Sequence, residues 1–455
     1  QMLDPPERDL LLQLAAVPAS FGIDDVEAVC RGRSDYPARL LGGLVDRGLV
    51  SGGEDGRHRL LETIKLYARE RWATRADPQS YLDNHRRWVL DELRRRTAEE
   101  WYTSADVVRW GIRHYDDHRA VEDHLAAEGA TNELALLLAG LTYTYHSEYS
   151  SRAAAAIERF DRYLATLTFT GEQRAGLHLV TAGACLQARQ PLKMAENLSA
   201  AKELFEGHDA LTGASYAQVF LATVAGVRDT DRALELIDDA VRTAEQAEAP
   251  AIAELALAFK AAILAMGGTV AQATRQLDEL RPRLERRSAH DYARQCHDLV
   301  DLGVHVFRKP HASQAAAQQV AAYLVDIEGS RPSYWPMLAV ICTAHAACAD
   351  VPTTGKLIAQ AEESATVSGD QPLPDLLVPL AALAWALDDH HRARRLLTAV
   401  RRSPIMTHGF YITIAYRQLR DEIGLLDKTH SEPATIEEIR EEAVNWLRSL
   451  DQHAP

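Results

Sequence analysis

Beyond residue 78 the chain is broken at a nearly constant interval. Short breaks rich in Gly, Pro, Asp or Ser fall at Thr168–Gly171, Gly207–Asp209, Glu248–Pro250, Arg287–Ser288, Ser330–Pro332 and Gly369–Pro372, about 40 residues apart. Between them, apolar residues recur at helical spacing and there is almost no strand signal. Alanine and leucine dominate, which favours helix over strand. A 40-residue period filled by two helices predicts an array of stacked helical hairpins. No single hairpin can bury its apolar face, so stacking must make the core continuous.

A second signal supports this reading. Ala195, Ala233, Ala273, Thr354 and Ala393 stand near the start of the second helix of successive units. One unit, around Gln314–Val320, is degenerate by this criterion. Small residues there let neighbouring helices approach closely, with Leu236, Ile237, Leu277, Leu357, Ile358, Leu396 and Leu397 supplying the apolar face. The pattern resembles tetratricopeptide repeats with lengthened units, about eight hairpins from Tyr81 to the end. First helices are expected to line a concave face.

The first seventy-odd residues follow another plan. Pro5-Pro6-Glu7 opens a helix whose Leu10, Leu11, Leu14 and Ala15 share a face. Phe21-Gly22 ends it. A second helix is read over Asp24–Cys30, and a third from an N-cap at Ser34 to a stop at Gly48. Leu49–Ser51 and His58–Leu61 read as strands around the turn-forming Gly52–Gly56, and Thr63–Arg71 is helical. Three helices, a hairpin and a closing helix make a winged-helix pattern. The expected fold class is therefore mainly α, a small winged-helix domain followed by a TPR-like α-solenoid. The expected divisions are 1–76 for the winged helix, 77–130 for a linking helical hairpin, 131–430 for the repeats and 431–455 for a capping helix. The cap carries Ile436, Ile439, Ala443, Trp446, Leu447 and Leu450 on one stripe.

Two stretches, Leu44–Val50 and His58–Arg71, resemble the winged-helix segment of bacterial STAND regulators, the large signal-transduction ATPases of the antibiotic-regulator and large LuxR-type families. The resemblance continues at Asn84–Trp88 and at Tyr115–Val121, and covers roughly the first 125 residues. It implies a nucleotide-binding domain upstream, so ATP or ADP would belong there and no cofactor is expected in this chain. Related eukaryotic proteins carry a nucleotide-contacting Met-His-Asp motif near Leu60-Leu61-Glu62. Here Leu61 stands in the His place, while Glu62 keeps a carboxylate. Gln1 is not a natural initiator, which suggests a piece of a longer protein.

No catalytic constellation is present. Thr354-Gly355-Lys356-Leu357 fails as a P-loop, because Asp350 stands where its first Gly must be and Leu357 where a Mg²⁺-binding hydroxyl must be. His114, Asp116, Asp117 and His118 form a polar cluster, as do Asp388, Asp389, His390 and His391. Adjacent helical residues diverge by about 100°, so neither set can converge on one ion. No metal site and no enzyme activity are expected. A formal net charge of −15 disfavours nucleic acid as a partner. Arg39 and Arg47 of the third helix are offset by Asp35 and Asp46, so direct nucleic-acid binding is not expected. Five scattered cysteines suit a reducing compartment. With no signal peptide or apolar run of spanning length, a cytoplasmic protein with no membrane partner is expected.

Tyr143, Tyr145, His146 and Tyr149 form an aromatic concentration. With Tyr216, Tyr292, His297, Trp335 and His345 on later first helices, they are the candidate surface for a protein or small-molecule effector. The function these features suggest is a sensor arm that binds an effector through its repeats and relays it through the winged helix. The alternatives are a free-standing repeat adaptor and a winged-helix DNA-binding regulator.

Overall fold

Pro5 sits in the first turn of α1 (Pro5–Leu14), where its missing N–H costs no hydrogen bond. Glu7 Oε2 accepts from the Asp4 N–H at 3.1 Å and closes that terminus. Helices α2 (Ile23–Val29) and α3 (Pro37–Asp46) follow. Gly48, at φ +67°, ends the third by letting the Leu49 N–H reach the Leu44 carbonyl at 3.0 Å. Strands β1 (Val50–Gly52) and β2 (His58–Leu60) pair antiparallel. Phe21 adds a bridge to His58 that the sequence pattern did not announce. Helix α4 (Glu62–Ala73) closes the module. Its core gathers Leu10, Leu14, Phe21, Val26, Leu41, Leu44, Val50 and Leu60. The expected N-cap Ser34 lies outside the described residues, and the third helix begins at Pro37 instead.

The computed structural model describes residues 3–15, 17–18, 20–29, 36–52, 57–73, 79–97, 105–141, 150–188, 190–226, 229–288, 291–328, 335–368, 376–402, 410–424 and 434–451. Two compact units emerge: Gln1–Glu99 with Trp110–Gly140, and Glu100–Arg109 with Leu141–Pro455. The first unit therefore extends past the winged helix to include α5 (Gln79–Arg96), α7 (Tyr115–Glu128) and α8 (Thr131–Gly140). Helix α6 (Ala105–Arg113) straddles the division.

The second unit is a helical-repeat array in two layers. Outer helices are α11 (Pro191–Glu206), α13 (Thr230–Gln246), α15 (Val270–Leu284), α17 (Pro310–Glu328), α19 (Val351–Ser368) and α21 (His390–Arg402). Inner helices are α10 (Gly171–Gln187), α12 (Leu211–Gly226), α14 (Pro250–Met266), α16 (Tyr292–His305), α18 (Trp335–Ala346) and α20 (Leu377–Ala386). Helix α9 (Ser150–Thr166) precedes them and packs on α10. From α12 onward each inner helix touches both its outer partner and the next inner helix, the signature of stacked hairpins.

The outer helices share one register. Met194, Ala233, Ala273, Ser313, Thr354 and Ala393, each three residues past its helix start, are all buried. They are spaced 39, 40, 40, 41 and 39 residues apart. Two sequence readings change here. Met194, not Ala195, holds the first position. The unit read as degenerate is regular, with Ser313 supplying the small side chain.

The turns explain why punctuation was uneven. Asp209, Glu248, Ala349 and Asp388 adopt positive φ without being glycine. Each is followed by an N–H that reaches back five residues, as Asp350 does to the His345 carbonyl at 3.1 Å. The wrapped turn, not the residue type, is what repeats.

Two C-terminal helices depart from the array. Helix α23 (Ile436–Asp451) lies against α19, α20 and α21, burying Ile439, Ala443, Val444 and Leu447. Arg395 pairs with Glu442 at 2.6 Å, and the Arg392 guanidinium lies 4.5 Å from the Trp446 ring centre. Helix α22 (Phe410–Ile423) falls within the stretch read as repeats, yet does not pack as one. It touches the inner helices α14, α16, α18 and α20 of four successive units.

Candidate functional site

Among the described residues, the exposed face of α3 is nearly neutral. Ala38, Arg39, Gly42 and Asp46 are the fully exposed positions of α3. Arg47 is held by Glu7 at 2.9 Å and by the Gly43 carbonyl at 2.8 Å. Glycine at position 43 makes this possible, because a Cβ there would come within 2.6 Å of Glu7 Oε1. Two further cations of the module are engaged with backbone carbonyls, while Arg8, Arg39, Arg59 and Arg71 are exposed. Lys65 donates to the Pro18 carbonyl, and Arg69 to the Ala15 carbonyl at 3.1 Å. Burial, and then the neighbouring Arg69, hold the Lys65 pKa below the ordinary lysine value. Among the exposed residues of α4, Leu66 and Tyr67 are apolar, as is Leu61 just before it. Glu62 is exposed too, at the N-terminal turn where the helix dipole favours its charge.

Beside this module, α5 and α7 meet at a buried polar network. Asp117 is wholly buried and accepts hydrogen bonds from His85 Nε2 at 3.0 Å and His114 Nδ1 at 3.2 Å. Burial alone would raise the Asp117 pKa. The bonds from His114 and His85 outweigh it and hold the carboxyl well below the usual range. The other face of His114 approaches Asp25 of α2, Nε2 to Oδ1 at 3.9 Å. Asp25 in turn accepts from Arg57 at 3.3 Å, beside the hairpin. Arg57, Asp25, His114, Asp117 and His85 thus form one line from the wing to α5.

Apolar rings and a neutral imidazole wall this line. Trp88 stands edge-on to His114 at 5.3 Å, and Trp110 lies 4.5 Å from His118. His118 Nε2 is buried without a hydrogen-bond partner, and burial pushes its pKa down to about 3. Arg86 of α5 adds a bridge to Glu128 of α7 at 2.8 Å and Glu133 of α8 at 2.9 Å.

Positions 114, 117 and 118 face inward at i, i+3 and i+4, while Asp116 is exposed. Divergence on the helix therefore splits the cluster, as periodicity requires. What local reasoning missed was His85, 32 residues upstream. Its only advance signal was that Asn84–Trp88 and Tyr115–Val121 both carry the family resemblance; the structure joins them at one hydrogen bond.

Four of the nine candidate effector residues have described side chains. Tyr143, Tyr145, His146 and Tyr149 lie outside the described residues, as does the side chain of Trp335. The other four are buried. Tyr216 packs on Phe220 with ring centres 5.1 Å apart, and Tyr292 is enclosed at the start of α16. His297 Nε2 donates to the Leu277 carbonyl at 3.0 Å. His345 Nδ1 bonds to Asp350 at 2.9 Å, whose other oxygen accepts from the Thr353 N–H and starts α19. These side chains are spent on helix packing and turn geometry because inner helices are covered nearly all round. At the second sequence cluster, Asp389 accepts from the Arg392 N–H at 3.0 Å and caps α21.

Residues 3–73 match the family described as a winged helix-turn-helix domain. No curated protein sequence matches the chain. Among solved structures it is similar to a signal transduction ATPase with numerous domains (STAND) protein with a tetratricopeptide repeat sensor from Pyrococcus horikoshii. That match has 14% identity and a TM-score of 0.41, covering 88% of this chain and 63% of that one. The chain spans less than two thirds of that protein's length. Among the described residues, no helix is long and apolar enough to cross a membrane.

Proposed function

We propose that this chain is the sensor and regulatory arm of a STAND-type transcriptional regulator in the cytoplasm. Its repeats receive a protein or small-molecule effector, and its winged helix passes the event to a nucleotide-binding domain on another segment. ATP or ADP would bind to that segment, not here. The observation that carries this reading is the Arg57–Asp25–His114–Asp117–His85 line. It ties the winged helix to the helical hairpin within one unit, through contacts that depend on direction as well as proximity.

The surface of the winged helix supports the same reading. Arg47, Lys65 and Arg69 are engaged with carboxylate or carbonyl oxygens of the module, and Leu61, Leu66 and Tyr67 stand exposed. A DNA-reading module needs the opposite arrangement, and a protein-docking module needs this one. An effector can act through such a line only by preferring one of two arrangements of the unit.

The test is the intact mass of the protein captured from its source cells with an antibody to the repeats. A species well above 50.4 kDa, with peptides containing a P-loop, is the expected result. A species near 50.4 kDa would leave no ATPase to regulate, and a free-standing adaptor would replace this reading.

A further inference from the structure

In an array of stacked hairpins each unit touches its neighbours alone. Helix α22 breaks that rule by packing on inner helices drawn from four successive units. It lies across the array as a ligand would. Its buried face is a helical stripe of Ile412, Ala415, Tyr416, Leu419 and Ile423, with Thr413 and Ile414 beside it, while Asp421 and Glu422 are exposed. We propose that the inner face of α14, α16, α18 and α20 is a helix-binding groove, that α22 is its resident occupant, and that the groove's partner is an amphipathic helix of another protein which displaces it.

Three observations mark the resident as replaceable. First, Arg417 is half-buried on α22, and its Nε is enclosed without a hydrogen bond. Burial and the nearby Arg420 hold its pKa below the ordinary arginine value, so the seat disfavours the charge it contains. Second, an open cleft of about 580 Å³ adjoins the C-terminal end of α22, lined by Gln418, Asp421 and Glu422 of α22, the start of the outer helix α15, and Phe307 and Arg308. Third, Arg275 and Arg308 border that cavity and form no ion pair among the described residues, although α22 places Asp421 and Glu422 on the same cavity. The partner is therefore a helix with apolar residues at i, i+3/i+4, i+7 and i+11. It has a neutral residue where α22 has Arg417, and carboxylates long or displaced enough to reach Arg275 and Arg308, which Asp421 and Glu422 of α22 do not pair.

This inference rests on the proposed role of the repeats as the receiving part, but its test is independent of any ATPase. The probe is a fluorescent peptide with the sequence of residues 410–423 and Arg417→Leu, titrated into the full chain and into a Leu419→Asp chain whose resident helix is spoiled. The peptide should bind the variant at least tenfold more tightly than the unmodified chain. Equal binding, or none to a variant of unchanged helix content, overturns the proposal.

Hydrogen exchange on the unmodified chain decides the matter if Leu419→Asp fails to fold. Amides of 412–423 should exchange at least tenfold faster than those of 252–264; equal rates would make α22 an ordinary part of the core and end the proposal. A dimer that trades α22 between two copies, seen by sedimentation, would give the groove to a second copy and overturn the foreign partner. A native mass near 50.4 kDa would remove the regulator and leave the groove result standing.

Discussion

Helix α14 buries thirteen of its seventeen residues, all of them Ala, Leu, Ile, Phe or Met. Helix α7, in the other unit, buries Asp117, His118 and Glu122 beside Val121 and Leu125. The array is held by burial without direction, repeated every 40 residues or so, and each contact can be exchanged for another of like volume. The first unit is held in part by hydrogen bonds that are made fully or lost. The first plan suits a scaffold that must extend. The second suits a joint that must adopt one arrangement.

The sharpest way to break this comparison is Asp117→Ala. It strands the donors of His85 and His114 in a buried site and should destabilise the first unit by about 3–5 kcal/mol. Denaturant unfolding followed by hydrogen exchange should show the loss there, with the repeats unmoved. A matching loss in the repeats would erase the distinction.

Acidification comes next. His118 is neutral in the folded unit with its pKa near 3, against 6.5 when unfolded. The unfolded chain therefore binds a proton that the folded one refuses. Stability is fully present above pH 6.5 and falls as pH drops toward 3, by about 2 kcal/mol at pH 5. The depressed Asp117 acts with the same sign, at pH values below the ordinary carboxylate range. His178 in the array is also shifted downward, by burial, so its share should be subtracted. The diagnostic is His118→Leu: between pH 7.5 and 5, its first unit should lose far less stability than the unmodified one. A slope that survives His118→Leu would assign the effect elsewhere.

Within the array, Ala233→Leu should overpack the approach of α13 to its neighbours, where a Cβ on Gly226 would already stand 3.5 Å from the Ala233 Cβ. The expected cost is about 1–3 kcal/mol, read as a lowered denaturation midpoint. An unchanged midpoint would mean that the small-residue stripe is not close-packed. The smallest effect is a gain. Ala349 sits at φ +56°, so Ala349→Gly should relieve the backbone and raise stability by about 0.5 kcal/mol, net of the freedom glycine adds to the unfolded chain.

The array was readable because a 40-residue period survives small local errors. Reading Ala195 for Met194 shifted one helix by a single position without changing the fold. Ser313 was hidden because this buried position accepts Met and Ser as well as Ala and Thr, so no single residue type marks it. The turn at Ala349 was hidden because strain is borne there by a residue that propensity would not choose. The four described candidates of the effector surface are buried for a related reason. Spacing places Tyr216 and His297 on inner helices, but cannot show that those helices are covered on both sides. The His85–Asp117 bond and the crossing of α22 both join distant segments, and no local pattern encodes such pairing.

The crossing of α22 also has a consequence for synthesis. A ribosome makes α14 through α20 before residues 410–423. At roughly 5–20 residues per second, the 37 positions from Ala386 to Ile423 take about 2–7 s. Through that interval the nascent array presents its apolar inner side with no helix of its own to cover it. Whatever binds amphipathic helices' sites first in the cell, chaperone or partner, meets this protein while it is still being translated.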